Sequence, residues 1–393
     1  MARPLTGIRV LDLTRVLAGP HCTMLLEDMG AEIIKIKEPA RGDDSRAYPP
    51  FSKGISAYYA NLNRNKKSLA LNLKDNKARE ALYKLIKISD VIVENYKPGT
   101  MAKLGLSYET VRRLNPRIIY ASISGFGQFG PYKDRPGYDI IAQAMSGIMS
   151  VTGWPDTPPT RTGTAIGDVL GGLNCCVGIL AALNNRNKTG RGERIDISLL
   201  DCAVSAMETL IQIYTAEKRV PGRTGNRYEF IYPYDSFPAK NGWVVIAIGN
   251  DTLWKKFCGV INRPDLLASE KFALNRGRVQ ASRELKELLS EWTASLEIND
   301  IVSLLLANSI PCAPINDVAA VVADEHIAGA REMILNVEHP IEGTMKITGC
   351  PIRFSEAGDR FYAKAPLLGE HSAEILENLL NMPVEGVKYF VFG

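Results

Sequence analysis

The chain has 393 residues, 46% hydrophobic and 23% charged, the balance of an ordinary globular protein and ample length for two or three domains. Its formal net charge of +4 is not gathered into a basic block, so nothing points to nucleic acid. No uninterrupted apolar run reaches the ~18 residues a membrane span needs, and the strand-like IRVLDL follows Met1 within a few residues, so the expected setting is cytoplasmic, with no membrane partner.

Arg9–Leu13 reads as a strand, Pro20–Met29 as a helix opened by Gly-Pro, and Glu32–Ile36 as a second strand. Ser68–Leu73, Asp90–Val93 and Arg117–Ser122 continue the strand series, with the amphipathic helix Lys77–Lys87 between them. Gly167–Leu183 is a small-residue helix, followed by the strand Arg194–Ser198 and a helix over Cys202–Thr215. This alternation specifies an α/β class with a Rossmann-like, mostly parallel sheet. Residues 218–234 carry glycine, proline and charge without a period and read as a linker after a large domain 1–217. A strand at Trp243–Ile248 and helices at Asn250–Val260, Ser282–Ser295 and Asn299–Asn308 form a smaller α+β domain, 235–325. A return linker, 326–340, leads into 341–393, the C-terminal part of the large domain, with a closing helix at Ser372–Leu380.

Seven scattered cysteines without a CxxC pair read as reduced thiols, and four histidines without ligand spacing give no metal site. Gly125-Phe126-Gly127-Gln128-Phe129-Gly130 follows a strand, but Pro131 and the turn residues after it deny it the helix a dinucleotide fingerprint requires. It reads as a loop. Asp168, at the start of the small-residue helix, has two readings: a cap of that helix, or a carboxylate nucleophile. Ala165, Gly167, Gly171 and Gly172 around it leave room for a bulky acyl group. Asn63-Arg64-Asn65-Lys66-Lys67, with Lys74 beyond the next strand, is either solvated surface or a binder of an anionic co-substrate.

These segments together resemble the class III CoA-transferase family, which includes formyl-CoA:oxalate and carnitine CoA-transferases, with the α-methylacyl-CoA racemases as relatives. The resemblance rests on Leu5–Pro39, Asn63–Lys74, Val91–Leu106, Asn115–Pro131, Gly137–Gly147, Thr162–Gly172, Thr189–Asp201 and Ala365–Leu376, in family order over nearly the whole chain. It implies a ring-shaped subunit in an interlocked homodimer, with the small domain as a lid. It also implies transfer of CoA from an acyl-CoA to a small carboxylic acid, with coenzyme A as co-substrate and no permanently bound cofactor. Asp168 matches the family nucleophile, which forms an aspartyl anhydride and then an aspartyl-CoA thioester. Leu17, Ala18, Leu71, Asn72, Leu73, Lys74, Asn95, Tyr96, Lys97, Lys103, Tyr138 and Asp139 match its CoA contacts. Leu17 replaces a glutamine and Glu38 an arginine of the formyl-CoA enzyme, and its run of glycines has no counterpart in Tyr228–Asn250, which argues against oxalate-specific activity. A 2-methylacyl-CoA racemase is the alternative. It needs histidine in a GHD step where this chain has Gly137-Tyr138-Asp139, and tyrosine, with a pKa near ~10, shuttles protons poorly at neutral pH. A non-catalytic interaction protein would need neither Asp168 nor the CoA positions.

Overall fold

Short strands rich in aliphatic and β-branched residues, most of them buried, pair in parallel, six in all. A computed structural model of the protein describes residues 2–358 and 361–382. The strands are β1 (Arg9–Asp12), β2 (Glu32–Lys37), β3 (Lys67–Ala70), β4 (Val91–Glu94), β5 (Ile119–Ser124) and β6 (Arg194–Ser198). Their order is β3-β2-β1-β4-β5-β6, all parallel. The chain therefore winds outward from β1 in one direction and from β4 in the other. Between those two strands the order reverses, and the crevice beyond their carboxyl ends is where open α/β sheets bind ligands.

One face of the sheet (Val10, Ile33, Val91, Val93, Ile119, Ala121, Ile123) is buried against helices α1 (Ala18–Asp28) and α5 (Ile166–Thr189). The other (Leu11, Ile34, Ile36, Leu69, Ile92, Tyr120) is buried against α3 (Asn76–Lys87). Three further helices bear on the site: α2 (Ala57–Leu62), α4 (Asp139–Ser146) and α6 (Leu199–Ser205). The glycines of α5 are there for proximity. A Cβ on Gly172 would lie 2.5 Å from the Ala18 carbonyl oxygen and 2.8 Å from His21 Nδ1, and one on Gly171 2.5 Å from Leu199 Cδ2. Small residues thus let the start of α1 press against the start of α5.

The carboxyl end of β1 rests on a buried ionic lattice. Lys66 Nζ lies 3.1 Å from Asp12 Oδ2 and also donates to Thr23 Oγ1, Asn63 Oδ1 and the Pro20 carbonyl. Lys35 Nζ pairs with Asp43 at 2.8 Å and donates to the Thr14 carbonyl, while Lys37 Nζ donates to the Leu13 carbonyl. Asp43 Oδ1 returns a bond by accepting from the Val16 N–H. Burial alone would raise the Asp12 carboxyl; Lys35 and Lys66 overcome it and hold it well below the usual range. Burial and then Lys35 push Lys37 down to about 7. The charged stretch at Asn63–Lys67 is thereby settled differently from both sequence readings: Arg64 is buried against Asp28 at 2.6 Å and Lys66 against Asp12, so neither is surface nor free for an anion. Burial explains why the charge run misleads: each cation has its carboxylate partner elsewhere in the chain.

Residues 2–148, 161–212 and the described residues from 325 onward form this unit. A second unit, Met149–Thr160 with Ile213–Asp324, has an antiparallel sheet of β7 (Tyr234–Ala239), β8 (Gly242–Ala247) and β9 (Cys312–Pro314), in the order β9-β8-β7. Its core of Trp254, Phe257, Leu285, Leu289, Ile301 and Leu305 comes from α7 (Asp251–Val260), α8 (Ser282–Ala294) and α9 (Ile298–Ala307). The segment Met149–Thr160 groups with this unit, although the sequence places it in the large domain.

Other details differ from the sequence expectations. Cys202–Thr215 is two helices, α6 and Glu208–Glu217, separated where Glu208 takes a left-handed φ of 37°. The stretch 326–340 is not a plain linker: it contains β10 (Ile334–His339), which pairs antiparallel with β11 (Gly343–Thr348). The closing helix is a single α turn, Ser372–Glu374, continued by a wider π-type turn at Ile375–Leu379. Residues 383–393 of the C-terminal part lie outside the described residues.

Removing one partner of a fully buried pair strands a charge, whereas an exposed pair is screened by water. Lys66→Met is expected to lower unfolding free energy by about 3–5 kcal/mol in denaturant titration, and Lys271→Ala, which removes the exposed partner of Glu284, by about 0–1 kcal/mol. Equal effects would show that the lattice carries no special weight.

Candidate active site

Asp168 sits in the first turn of α5, three residues past the N-cap Ala165, whose side chain makes no capping bond. The cap comes from another helix. Asp139 Oδ1, at the start of α4, accepts from the N–H groups of Gly167 at 2.7 Å and Asp168 at 3.3 Å. Its other oxygen accepts from Gln143 Nε2 at 2.7 Å, and Gln143 Oε1 accepts from the N–H and hydroxyl of Thr162. Asp168 is therefore not the cap: among the described residues its carboxylate accepts no hydrogen bond. Burial, and then the charge of Asp139, push its carboxyl up to about 7. The positive end of α5 opposes both by favouring the anion. The result is a half-buried, unbonded carboxylate that is half ionised near neutrality.

Two neighbours flank Asp168, of which Tyr58 escaped sequence analysis. Tyr58, on α2, is half-buried, stacks edge-on against Tyr48 at 5.9 Å, and has its hydroxyl pushed up to about 12 by burial and then by Asp168. A tyrosine in the run Ser-Ala-Tyr-Tyr-Ala carries no motif that would single it out. His21, on α1, is held neutral chiefly by burial, then by Arg64 and Lys66, and hydrogen-bonds to the Val169 carbonyl. That bond ties α1 to α5 one residue past Asp168.

The positions matching CoA contacts come together along one edge. Leu17 and Ala18 follow β1, Leu71–Lys74 follow β3, Asn95–Lys97 follow β4, and Tyr138 and Asp139 open α4. All lie beyond carboxyl ends of parallel strands. They are not equally available. Leu71 is fully buried in the core and Ala18 is 4% exposed, so only their backbones could meet a ligand. Asn95 is committed to the β1–α1 turn, accepting from Arg15 N–H and donating to its carbonyl, both at 2.8 Å. Asn72 and Leu73 are half-buried, as is Tyr96, while Lys74, Lys97 and Lys103 are exposed cations that an anionic ligand could reach. Tyr138 is 77% exposed.

The glycine-rich loop after β5 is a loop, as its turn residues require. Its ends touch: a Cβ on Gly125 would lie 2.8 Å from Gly137 Cα. Gln128, from this loop, and Lys97 border a cavity of about 310 Å³ with Glu94, Tyr120, Ser122 and Arg194. Tyr120 and Ser122 point away from the α5 face of the sheet, so this cavity is separate from Asp168. Among the described residues no group of three or more His, Cys, Asp or Glu could hold a metal ion.

Against known proteins, the model of CoA-transferase family III matches residues 5–372. The chain is 41% identical to succinyl-CoA:mesaconate CoA-transferase of Haloarcula marismortui, covering 95% of this chain and 96% of that one. It is 39% identical to succinyl-CoA:glutarate CoA-transferase of Mus musculus, covering 96% and 87%. A crystal structure of a CaiB/BaiF family protein from Brucella suis superposes with a TM-score of 0.87 at 37% identity, covering 96% of this chain and all of the other. The chain belongs to CoA-transferase family III. It is a CoA-transferase, an enzyme class whose co-substrates are CoA thioesters.

A carboxyl raised on folding destabilises the folded state wherever it must ionise. Its extra stability is complete below the unfolded value of 3.8 and is lost as pH rises through about 7. Asp168→Asn is thus expected to stabilise the protein at pH 8, by up to about 4 kcal/mol, and to have no such effect at pH 3.5. A pH series of thermal melts measures this; equal effects at both pH values would mean Asp168 is an ordinary solvated carboxylate.

Proposed function

We propose that this enzyme moves CoA from a donor acyl-CoA to a dicarboxylic acid by covalent catalysis at Asp168. The observation that carries the reading is the half-buried, unbonded Asp168 carboxylate at a helix start capped by a different residue. Asp168 attacks the thioester carbonyl; the C–S bond breaks, and the mixed aspartyl anhydride and CoA thiolate form. The thiolate attacks the aspartyl carbonyl, releasing the donor's acid as carboxylate and leaving an aspartyl-CoA thioester. The incoming carboxylate displaces the thiolate to form a second anhydride, and the thiolate then attacks its acyl carbonyl. That step yields the new acyl-CoA and regenerates the Asp168 carboxylate. No net proton is consumed, so no acid/base pair is required. Water must be kept out, because both intermediates hydrolyse.

The relatives named for succinyl-CoA with mesaconate and glutarate support succinyl-CoA as donor and a short dicarboxylate as acceptor. The exposed Lys74, Lys97 and Lys103 suit the phosphates of coenzyme A, and Leu17, Asn72, Leu73, Tyr96 and Tyr138 its less charged parts. A racemase would require a histidine facing Asp168 across the α-carbon. Its place is taken by the exposed Tyr138, and His21 is bonded to the Val169 carbonyl.

The same reading includes an interlocked homodimer of ring-shaped subunits. Ile140, Ile141 and Met145 of α4, Leu173 and Val177 of α5, and Val204 of α6 are exposed on three helices that pack together. An apolar surface of that extent suits an obligate partner. All seven cysteines are free thiols, which suits the reducing cytoplasm.

With succinyl-CoA, the wild type is expected to accumulate an adduct on Asp168 visible by intact mass and cleared by hydroxylamine. Asp168→Ala should form none and lose turnover with its fold intact. Deuterium should not wash into the α-carbon of a 2-methylacyl-CoA in heavy water; incorporation at turnover rates without an adduct would establish the racemase instead.

For assembly, light scattering should give a dimer at every dilution down to nanomolar, with dissociation only on unfolding. A stable folded monomer would refute interlocking.

A further inference from the structure

Gln143 is an odd residue to bury. It lies on α4, one turn after Asp139, with no exposed surface at all, and a buried amide must satisfy both its ends. It does so by bridging two segments that otherwise meet only near Asp168. Its nitrogen donates to Asp139 Oδ2, and its oxygen accepts from the N–H of Thr162 at 3.0 Å and the hydroxyl at 3.2 Å. The Thr162 hydroxyl bonds onward to the Thr164 carbonyl, two residues before α5 begins. Asp139 spends its remaining oxygen on the Gly167 and Asp168 N–H groups. One amide therefore fixes both the carboxylate that caps α5 and the backbone that enters it.

We propose that Gln143 is a positioning residue of the transfer reaction: it locks Asp139 into the capping role and so keeps Asp168 unbonded and aimed for attack. The inference rests on Asp168 being the nucleophile. An alkyl side chain at 143 cannot donate, so Asp139 Oδ2 loses its partner and the carboxylate turns, loosening the cap. A carboxyl side chain has the same shape as the amide. Protonated, it donates to Asp139 and accepts from Thr162 as the amide does; ionised, it sets two negative oxygens against each other. The charged and titratable groups facing this bracket are Asp139 on α4, Asp168 on α5, Tyr58 on α2 facing Asp168, and Arg161, which donates to the Thr162 carbonyl. None of these is an amide that could substitute for Gln143.

The experiment measures kcat and KM with succinyl-CoA and glutarate from pH 5.5 to 9 for wild type, Gln143→Leu, Gln143→Glu and Asp168→Ala, with thermal melts of each and of Asp168→Asn alone and combined with Gln143→Leu. Gln143→Leu should lose roughly tenfold or more in kcat at all pH values, with KM for succinyl-CoA changed by less than about threefold. Gln143→Glu should approach wild-type kcat at the acid end and fall away as pH rises, a descending limb the wild type lacks. In melts at pH 8, the stabilisation by Asp168→Asn should shrink in the Gln143→Leu background, because an Asp139 that turns away from the bracket repels Asp168 less and frees the α5 N–H groups to bond it. The melts need no substrate, so they test the bracket even if another acid is the true acceptor. Wild-type pH profiles in both Gln143 variants, or an unchanged Asp168→Asn effect, would overturn the proposal. Full turnover in Asp168→Ala would overturn the nucleophile instead, and the melts would still judge Gln143.

Discussion

A helix that borrows its cap from a neighbour leaves its own first-turn carboxylate with nothing to do. That is the constraint from which the site follows. An acidic residue in the first turn of a helix ordinarily turns back on the free N–H groups. In α5 those groups are taken by Asp139 from α4, so Asp168 keeps its lone pairs. The arrangement works only if α4 and α5 are held at one spacing, which the small residues of α5 permit: a Cβ on Gly167 would sit 3.0 Å from Asp139 Oδ1. Glycine at that position, next to Asp168, is a packing requirement of the cap.

The opposite wall of the site is fixed by different physics. The β1–α1 turn carries Leu17, one of the positions matching CoA contacts, and Val16 in it adopts a positive φ of 66°. A strained turn of that kind persists only where its surroundings over-determine it. Three lysines and two aspartates beneath it do so, each ammonium donating to a carbonyl of the strand or turn it supports: Lys37 to Leu13, Lys35 to Thr14, Lys66 to Pro20. Two of the ammoniums are matched by Asp12 and Asp43; burial pushes Lys66 down to about 8 even so, and Lys37, the one without a carboxylate bond, further, to about 7. The charge count closes inside the protein, which is how so many ionisable groups tolerate burial.

The parallel sheet was legible because its strands are short, apolar runs bounded by helical periods; the strands Arg9–Asp12 and Arg194–Ser198 fall almost where the pattern puts them. The β10–β11 hairpin was not, because the alternation of Leu335 and Val337 with Asn336 and Glu338 is only four residues long and its next inward position is the polar but buried His339. The break before Glu208 was invisible as well, since no glycine or proline marks it and only tertiary packing fixes it. At the site, Asp168 could be singled out by its glycine-rich setting, yet cap and nucleophile were indistinguishable. The difference lies in where Asp139 points, a fact of tertiary structure. Arg64 and Lys66 show the converse: sequence records their charge and not the distant carboxylates, Asp28 and Asp12, that bury it.

The half-ionised state of Asp168 also explains why the cap should be an aspartate at all. A backbone or amide cap would satisfy α5 equally well without adding charge, and the carboxylate would then ionise more readily. A readily ionised carboxylate is abundant but weakly nucleophilic, and the anhydride it forms is correspondingly better at expelling it. With Asp139 beside it and little solvent around it, Asp168 is raised to about 7, where the anion remains well populated at neutral pH while being considerably more basic than a solvated one. In the proposed mechanism, attack on the thioester would disperse that charge onto the departing thiolate and relieve the repulsion from Asp139. Ground-state repulsion that vanishes along the reaction coordinate accelerates a step. Under that proposal the second carboxylate would act twice, by freeing Asp168 from capping and by making its charge costly to keep.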